Sequence, residues 1–505
     1  MARAFPEPAV DERSVAVPTD RQWFGQPRGL STLFFTELWE RFSYYGMRAI
    51  LVLFMTNAIA TGGLGMTDGV ATAIYGLYTA AVYLVALPGG WIADRLLGQR
   101  RAVFAGGVVI AAGHFTLAVP SIGTFYLGLI LIVVGTGLLK PNISAMVGDL
   151  YPDGGARRDA GFSIYYMGIN VGAFLGPLVC GYLGENINWH LGFSAAGFGM
   201  VLGLIQYAWG GTYPGEAGQL KPDVRAPGAR AHALRSLLLG LGAMVGMALL
   251  LTALQSAGLL QITLIGFARA MGVVIVLLAA AFLGYVFWFG RLTRVEQQRV
   301  GVIGVCFLAA AIFWSGFEQA GSSMNLFAER LTDRTVLGWE MPASWLQSVN
   351  SLFIILLAPV FSALWLWLGS RSPSIPAKFA YGLVQLGLGF LVLAWASLYT
   401  SNAHLVRPSW LVVTYFLHTT GELCLSPVGL SSITKLSPPR FVGQMMGIWF
   451  MGAALGNLIA GLVAGLIERL PLPQPFGSVC LFTAGAGVVL LLLAKPIRNM
   501  AGDVK

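Results

Sequence analysis

Long apolar stretches follow one another along nearly the whole of this 505-residue chain, and they set what it can fold into. We count fourteen, near 29–57, 69–96, 101–119, 122–148, 158–183, 190–212, 234–256, 262–289, 300–329, 344–369, 376–400, 408–437, 440–467 and 476–495. Most exceed the ~20 residues that an α-helix needs to cross the hydrocarbon layer of a bilayer. The chain is 56% hydrophobic and only 10% charged, where a soluble domain carries roughly 25% charged residues. The expected class is an all-α integral membrane protein with 14 transmembrane helices.

The formal net charge of +9 could suggest a nucleic-acid partner, but its placement says otherwise. If both termini are cytoplasmic, the opposite loops hold only Arg330, Arg334, Arg407 and Arg469. The spans hold only Arg41, Arg48, Lys140 and Arg269. Every other Lys and Arg of the 31 then falls on the cytoplasmic side, as the positive-inside rule requires. The expected partner is membrane lipid, and no nucleic acid. The four cysteines lie apart in apolar segments and read as buried small hydrophobes, without disulfide or metal spacing. The first thirty residues are polar and lack the pattern of a cleaved signal.

Fourteen divides as six, two and six. The expected organisation is a cytoplasmic tail over 1–28, a six-helix bundle over 29–213, a cytoplasmic linker with a two-helix insertion over 214–299, a second six-helix bundle over 300–496 and a tail over 497–505. The insertion, near 234–256 and 262–289, has almost no polar side chains beyond Gln255, Gln261 and Arg269, so it reads as peripheral. Two six-helix halves suggest alternating access, with a site between them near the midplane.

The first span breaks its own apolar pattern. Glu37, Glu40, Arg41, Tyr44, Tyr45 and Arg48 fall at helical spacing on one face, between apolar runs on either side. Each charge at mid-membrane costs roughly 2.5–3.5 kcal/mol by insertion scales. Four on one helix point to a proton and substrate site facing a water-filled cavity. Lys140 lies deep in the fourth span, ahead of Pro141, and needs an acid partner or a cavity. The Glu37, Glu40 and Arg41 cluster could supply that partner, and taking up a proton there would switch an ion pair. Glu318 and Glu422 are the intramembrane acids of the second half. The cationic Arg48 and Lys140 thus face acids across the two halves, which suits a breakable gate.

Several motifs in chain order carry a family resemblance. Gly89-Gly90-Trp91-Ile92-Ala93-Asp94-Arg95-Leu96-Leu97-Gly98-Gln99-Arg100-Arg101 resembles the signature loop of the major facilitator superfamily. In that loop an aspartate and nearby arginines latch helices on the cytoplasmic side, which gives Asp94 and Arg95 a gating role by resemblance. Glu37-x-x-Glu40-Arg41-Phe42-x-Tyr44-Tyr45-Gly46 resembles the hallmark of the proton-dependent oligopeptide transporter family within that superfamily. The stretches 135–144, 162–172, 189–193, 313–325 and 421–429 match further family patterns. The resemblance implies the major facilitator fold and a bacterial inner-membrane symporter for protons with di- and tripeptides. The alternative is a relative moving another substrate, such as nitrate or a peptide-like metabolite; Glu422, suited to an amine, disfavours nitrate.

By the same resemblance Glu37, Glu40, Arg41, Lys140 and Glu318 couple protons. Arg48 and Lys140 take the peptide carboxylate, with Tyr44, Tyr45 and Tyr83 as uncharged donors. Glu422 takes the amine with Asn170 and Asn350, and Trp314 and Trp449 wall a side-chain pocket. Arg48, Lys140, Glu318 and Glu422 serve as gates as well. Animal members carry a histidine where this chain has Gly76, so proton entry here should not depend on it. His418 and Glu422 share a helix face, but no third ligand is near, so no metal is expected. No catalytic motif is present, and no cofactor beyond the coupling proton.

Overall fold

The computed structural model describes residues 23–152, 154–211, 213–220, 227–400 and 404–502. Most of the expected N-terminal tail, part of the 214–299 linker and the last three residues of the C-terminal tail lie outside these. The chain is helical almost throughout. The first half contains α1 (Gly29–Thr56), α2 (Asp68–Ile92), α3 (Gln99–Leu117), α4 (Ile122–Asp149), α5 (Gly155–Asn186) and α6 (Trp189–Trp209). Then come α7 (Pro227–Ser256) and α8 (Leu264–Phe289). The second half contains α9 (Arg294–Phe317), the short α10 (Ser323–Leu331), α11 (Ser348–Leu368), α12 (Ile375–Leu398), α13 (Ser409–Leu436), α14 (Val442–Ala464) and α15 (Pro473–Leu492), closed by α16 (Ala494–Ala501).

Among the described residues, eleven helical segments are long and apolar enough to cross a bilayer. The other three expected spans, α1, α3 and α13, are helical over comparable lengths but carry more polar residues. In α1 the cause is its charged stripe. The near end of the bundle is the one where α1 begins, and the far end is the one where it finishes.

Two helix starts and breaks differ from the sequence reading. Thr293 caps α9 through the Glu296 N–H, and the Glu296 carboxylate accepts from the Thr293 N–H at 2.8 Å, a capping box that begins the helix at 294 rather than near 300. The span expected over 300–329 is interrupted by a 3₁₀ turn at Glu318–Gly321. The break falls at the buried acid itself, where Gly321 lies directly against the Tyr75 hydroxyl of α2. Between α10 and α11 a two-stranded hairpin pairs Val336 with Trp339.

Small residues set the distances inside the first half. A Cβ at Gly172 of α5 would collide with the Leu38 carbonyl of α1, and one at Gly46 would stand 3.0 Å from the Gly176 carbonyl. The α1 and α5 backbones therefore touch, a close approach typical of membrane helices. This contact presents the α1 stripe to α5.

α7 is exposed along its membrane-length segment, while α8 rests on α14 and α2 through Ala268, Ile275, Ala279 and Val286. Neither helix lines the central cavity. Lipid tails are as apolar as these side chains, so removing α8 costs packing contacts rather than hydrophobic burial. Replacing 234–289 with a flexible linker is expected to lower thermal stability modestly and leave turnover near native. Transport rate and a thermal melt of the same preparation check this; lost turnover with unchanged folding and binding would contradict it.

Candidate functional site

The stripe on α1 is buried and builds two charge clusters. In the first, Arg41 Nε donates to Glu37 Oε1 at 3.0 Å and also contacts Glu40 Oε2. Tyr165 of α5 donates its hydroxyl proton to Glu37 Oε2 at 2.7 Å, and Ser144 of α4 lies 3.4 Å from that hydroxyl. Glu37 is thereby held from two sides. Both Glu40 oxygens lack an aligned hydrogen bond, as does Arg41 Nη2.

Lys140 differs from expectation. Its ammonium sits over the Tyr83 ring, 4.5 Å from the centroid, and forms no ion pair among the described residues. Arg41 has taken both acids, which leaves Lys140 a cation–π seat within electrostatic reach of Glu40. Two acids and two bases are thus gathered in the first half.

The second cluster joins the halves. Arg48 Nη1 lies 3.1 Å from Glu318 Oε2, both groups buried. The guanidinium also lies 5.2 Å from the Tyr45 ring and 5.9 Å from the Tyr75 ring. Next to this pair opens a cavity of ≈ 130 Å³. Of the expected substrate residues, Tyr45, Arg48, Tyr83, Asn170, Trp314, Asn350 and Glu422 line it, together with Glu318. Glu422 Oε2 has no hydrogen-bond partner. Asn350 donates to Thr419 Oγ1 at 2.9 Å and Asn170 to the Tyr166 carbonyl at 2.9 Å. Their amide oxygens accept no bond among the described residues. The cavity therefore has the cation Arg48 on the first half and the acids Glu318 and Glu422 on the second, with an amide from each half, Asn170 and Asn350.

Three expected residues fall elsewhere. Trp449 packs on Gly429 and lies 6.1 Å from Phe379, within its own half and off the cavity. Tyr44 stacks on Tyr78 at 6.3 Å behind the wall. Lys140 does not line the cavity and touches it through the Tyr83 ring, 4.5 Å from its ammonium. Sequence reasoning also missed cavity residues, among them Tyr166, Gln347, Ser351, Tyr415 and His418. A signal existed for some: Tyr166 precedes Asn170 by four, and Tyr415 and His418 precede Glu422 by seven and four, each on one helix face.

Hydrogen bonds and ion pairs joining described residues of the two halves all lie from the Arg48–Glu318 level toward the far end. Asn325 Nδ2 donates to the Ala49 carbonyl at 2.7 Å, Ser348 Oγ to the Phe174 carbonyl at 2.8 Å, and Arg330 grips Asp68 at 2.7 and 2.9 Å. Toward the near end a second cavity of ≈ 430 Å³ shares Tyr166 with the first and continues along α11 and α13. The conformation is closed at the far end and open toward the near end. Asp94 and Arg95 are exposed there and form no ion pair among the described residues. Arg100 holds the loop instead, donating to the Ala217 carbonyl at 2.7 Å and to that of Gly215.

Gly76 also finds its reason at the far-end seal. A Cβ there would stand 3.0 Å from Gly461 Cα and 3.2 Å from the Asn457 carbonyl oxygen. This backbone contact between α2 and α14 has no room for an imidazole. Gly461→Val would meet the Thr72 carbonyl and Gly76 and is expected to hold the far end open. Lengthened distances between far-end spin labels, with loss of most transport, check it; native distances would contradict it.

Comparisons with known proteins agree with this geometry. A family model described as the POT family matches residues 100–475. The chain is 41% identical to the peptide transporter YePEPT of Yersinia enterocolitica, covering 98% of this chain and 99% of that one. It is 38% identical to a di-/tripeptide transporter of Lactococcus lactis, covering 96% and 99%. A solved structure of a variant peptide transporter POT in complex with alafosfalin superposes with a TM-score of 0.86 at 42% identity, over 95% of this chain and 97% of that one.

Proposed function

The chain belongs to the POT family of transporters, and on that premise we propose that it is a proton-coupled symporter importing di- and tripeptides by alternating access. The observation that carries this reading is the polarity of the central cavity. A zwitterionic peptide presents a carboxylate and an ammonium a few ångströms apart. Arg48, with Lys140 behind Tyr83, offers the carboxylate a base, and Glu422 offers the ammonium an acid with a free oxygen. Desolvating both termini is costly, and charge-assisted hydrogen bonds offset that cost.

The near end, rich in Lys and Arg, is cytoplasmic in this reading, and the membrane is the bacterial inner membrane, with lipid around α7 and the outer faces. Protons are the coupling ion, carried by Glu37, Glu40 and Glu318, and the protein makes or breaks no covalent bond in its substrate. Protonation of Glu318 from outside removes one partner of Arg48 and favours the far-end-open state. Return of the pair, with peptide and proton bound in the first half, favours the state described above. Uptake of labelled dialanine into proteoliposomes under an imposed inward proton gradient tests the reading. Accumulation above the outside concentration supports it, and uptake indifferent to the gradient or to competing dipeptides overturns it.

A further inference from the structure

Two carboxylates reach across the molecule at the far end, each into the start of a helix belonging to the other half. Glu185, in the last turn of α5, accepts from the Ala343 N–H at 2.7 Å through Oε2 and from the Ser344 N–H at 3.0 Å through Oε1. These are the opening N–H groups of the 3₁₀ turn Ala343–Gln347 that runs straight into α11. Glu468, in the 3₁₀ turn that follows α14, accepts from the Gly69 N–H in the first turn of α2 at 3.0 Å.

The two contacts correspond under the six-plus-six organisation. The fifth helix of the first half caps the second helix of the second half, and the fifth helix of the second half caps the second helix of the first. A helix start carries unsatisfied N–H groups and the positive end of the helix dipole, so a carboxylate there is stabilising. In both places the cap comes from the opposite half. Such a bond exists only while the far end is closed, and opening must break it and rehydrate both partners.

We propose that Glu185 and Glu468 are reciprocal gate latches, carboxylates that cap helices in trans and hold the far end shut independently of the Arg48–Glu318 pair. The inference rests on the alternating-access reading. Glu185, half-buried and bonded twice, carries more of the effect than the exposed Glu468. Arg334 and Glu329 lie within electrostatic reach of Glu185, and Arg330 pairs with Asp68 beside Gly69, so these groups set the field in which the latches act.

The test reads distances rather than transport, so its outcome is separable from substrate identity. Spin labels go on Ile122→Cys and Leu405→Cys, exposed far-end positions in opposite halves, and the four buried native cysteines stay in place. Glu185→Ala is expected to raise the far-end-open to closed ratio by about tenfold, as loss of hydrogen bonds to a charged group implies. Glu468→Ala shifts it in the same direction by less. Ala343→Pro removes one donor from the partner side, at a helix-start position that tolerates proline and after a residue whose ψ of 137° suits it. It should open the gate alone and add little to Glu185→Ala. Unchanged distance distributions in both Glu185→Ala and Ala343→Pro, with native melting, would overturn the proposal. So would effects of the two that add in full, because Glu185 would then act through some other contact.

Discussion

Lys140→Ala and Glu40→Gln are each expected to abolish proton-driven peptide uptake while peptide exchange between the two sides persists. Exchange needs the cavity and the gates but no net proton movement. Net uptake needs the cluster on α1 to change its pairing in step with the conformation. In the structure Arg41 is shared by Glu37 and Glu40, Glu37 is fixed by Tyr165, and Glu40 is left without an aligned hydrogen bond. Protonating Glu40 frees Arg41 to serve Glu37 alone and deprives Lys140 of its nearest unfixed counter-charge. Breaking such a buried set by removing one partner costs about 3–5 kcal/mol, a shift on the order of a hundredfold or more in any equilibrium that depends on it. Gradient-driven accumulation should fall by a comparable factor in both variants. Parallel uptake and counterflow assays in one proteoliposome preparation check this, and full gradient-driven uptake in both variants would remove the cluster from coupling.

Glu422→Gln is expected to lose most of the preference for a free amine. The native protein should bind a dipeptide more tightly than its N-acetylated form by roughly 10- to 100-fold, the value of a hydrogen bond to a charged group. The variant should bring the two within a few-fold of each other, chiefly by weakening the free dipeptide. Titration of both ligands against both proteins gives the four constants of a cycle. Equal native affinity for acetylated and free dipeptide would show that the amine is not read by Glu422.

Much of this architecture is written in hydropathy alone. Long apolar runs locate helices because the bilayer demands both length and apolarity, and the α1 stripe is visible because four charges at helical spacing have no other use at that depth. The Arg48–Glu318 pairing follows from counting outward along two spans that begin at the same end. What sequence left hidden depends on packing in three dimensions. The partner of Lys140 could not be read, because Arg41 competes for both acids and only geometry shows that it takes them. Trp449 lies in α14, and its rotation about that helix puts the indole on Gly429. The 3₁₀ break at Glu318 needs knowledge of Tyr75 on another helix. The trans caps of Glu185 and Glu468 join positions far apart in the chain, and neither carries a local signal. The capping box at Thr293 is local, Thr293 and Glu296 standing three residues apart just ahead of the apolar run.

Coupling between peptide and proton is tested most directly by proton movement that peptide drives. Proteoliposomes holding the protein and a luminal pH dye, with equal pH on both sides and the membrane potential clamped, receive an inward gradient of dialanine. Luminal acidification is expected that requires peptide, is absent with N-acetylated dialanine and disappears in Glu40→Gln. Dialanine entry at the native rate with no change in luminal pH would contradict it.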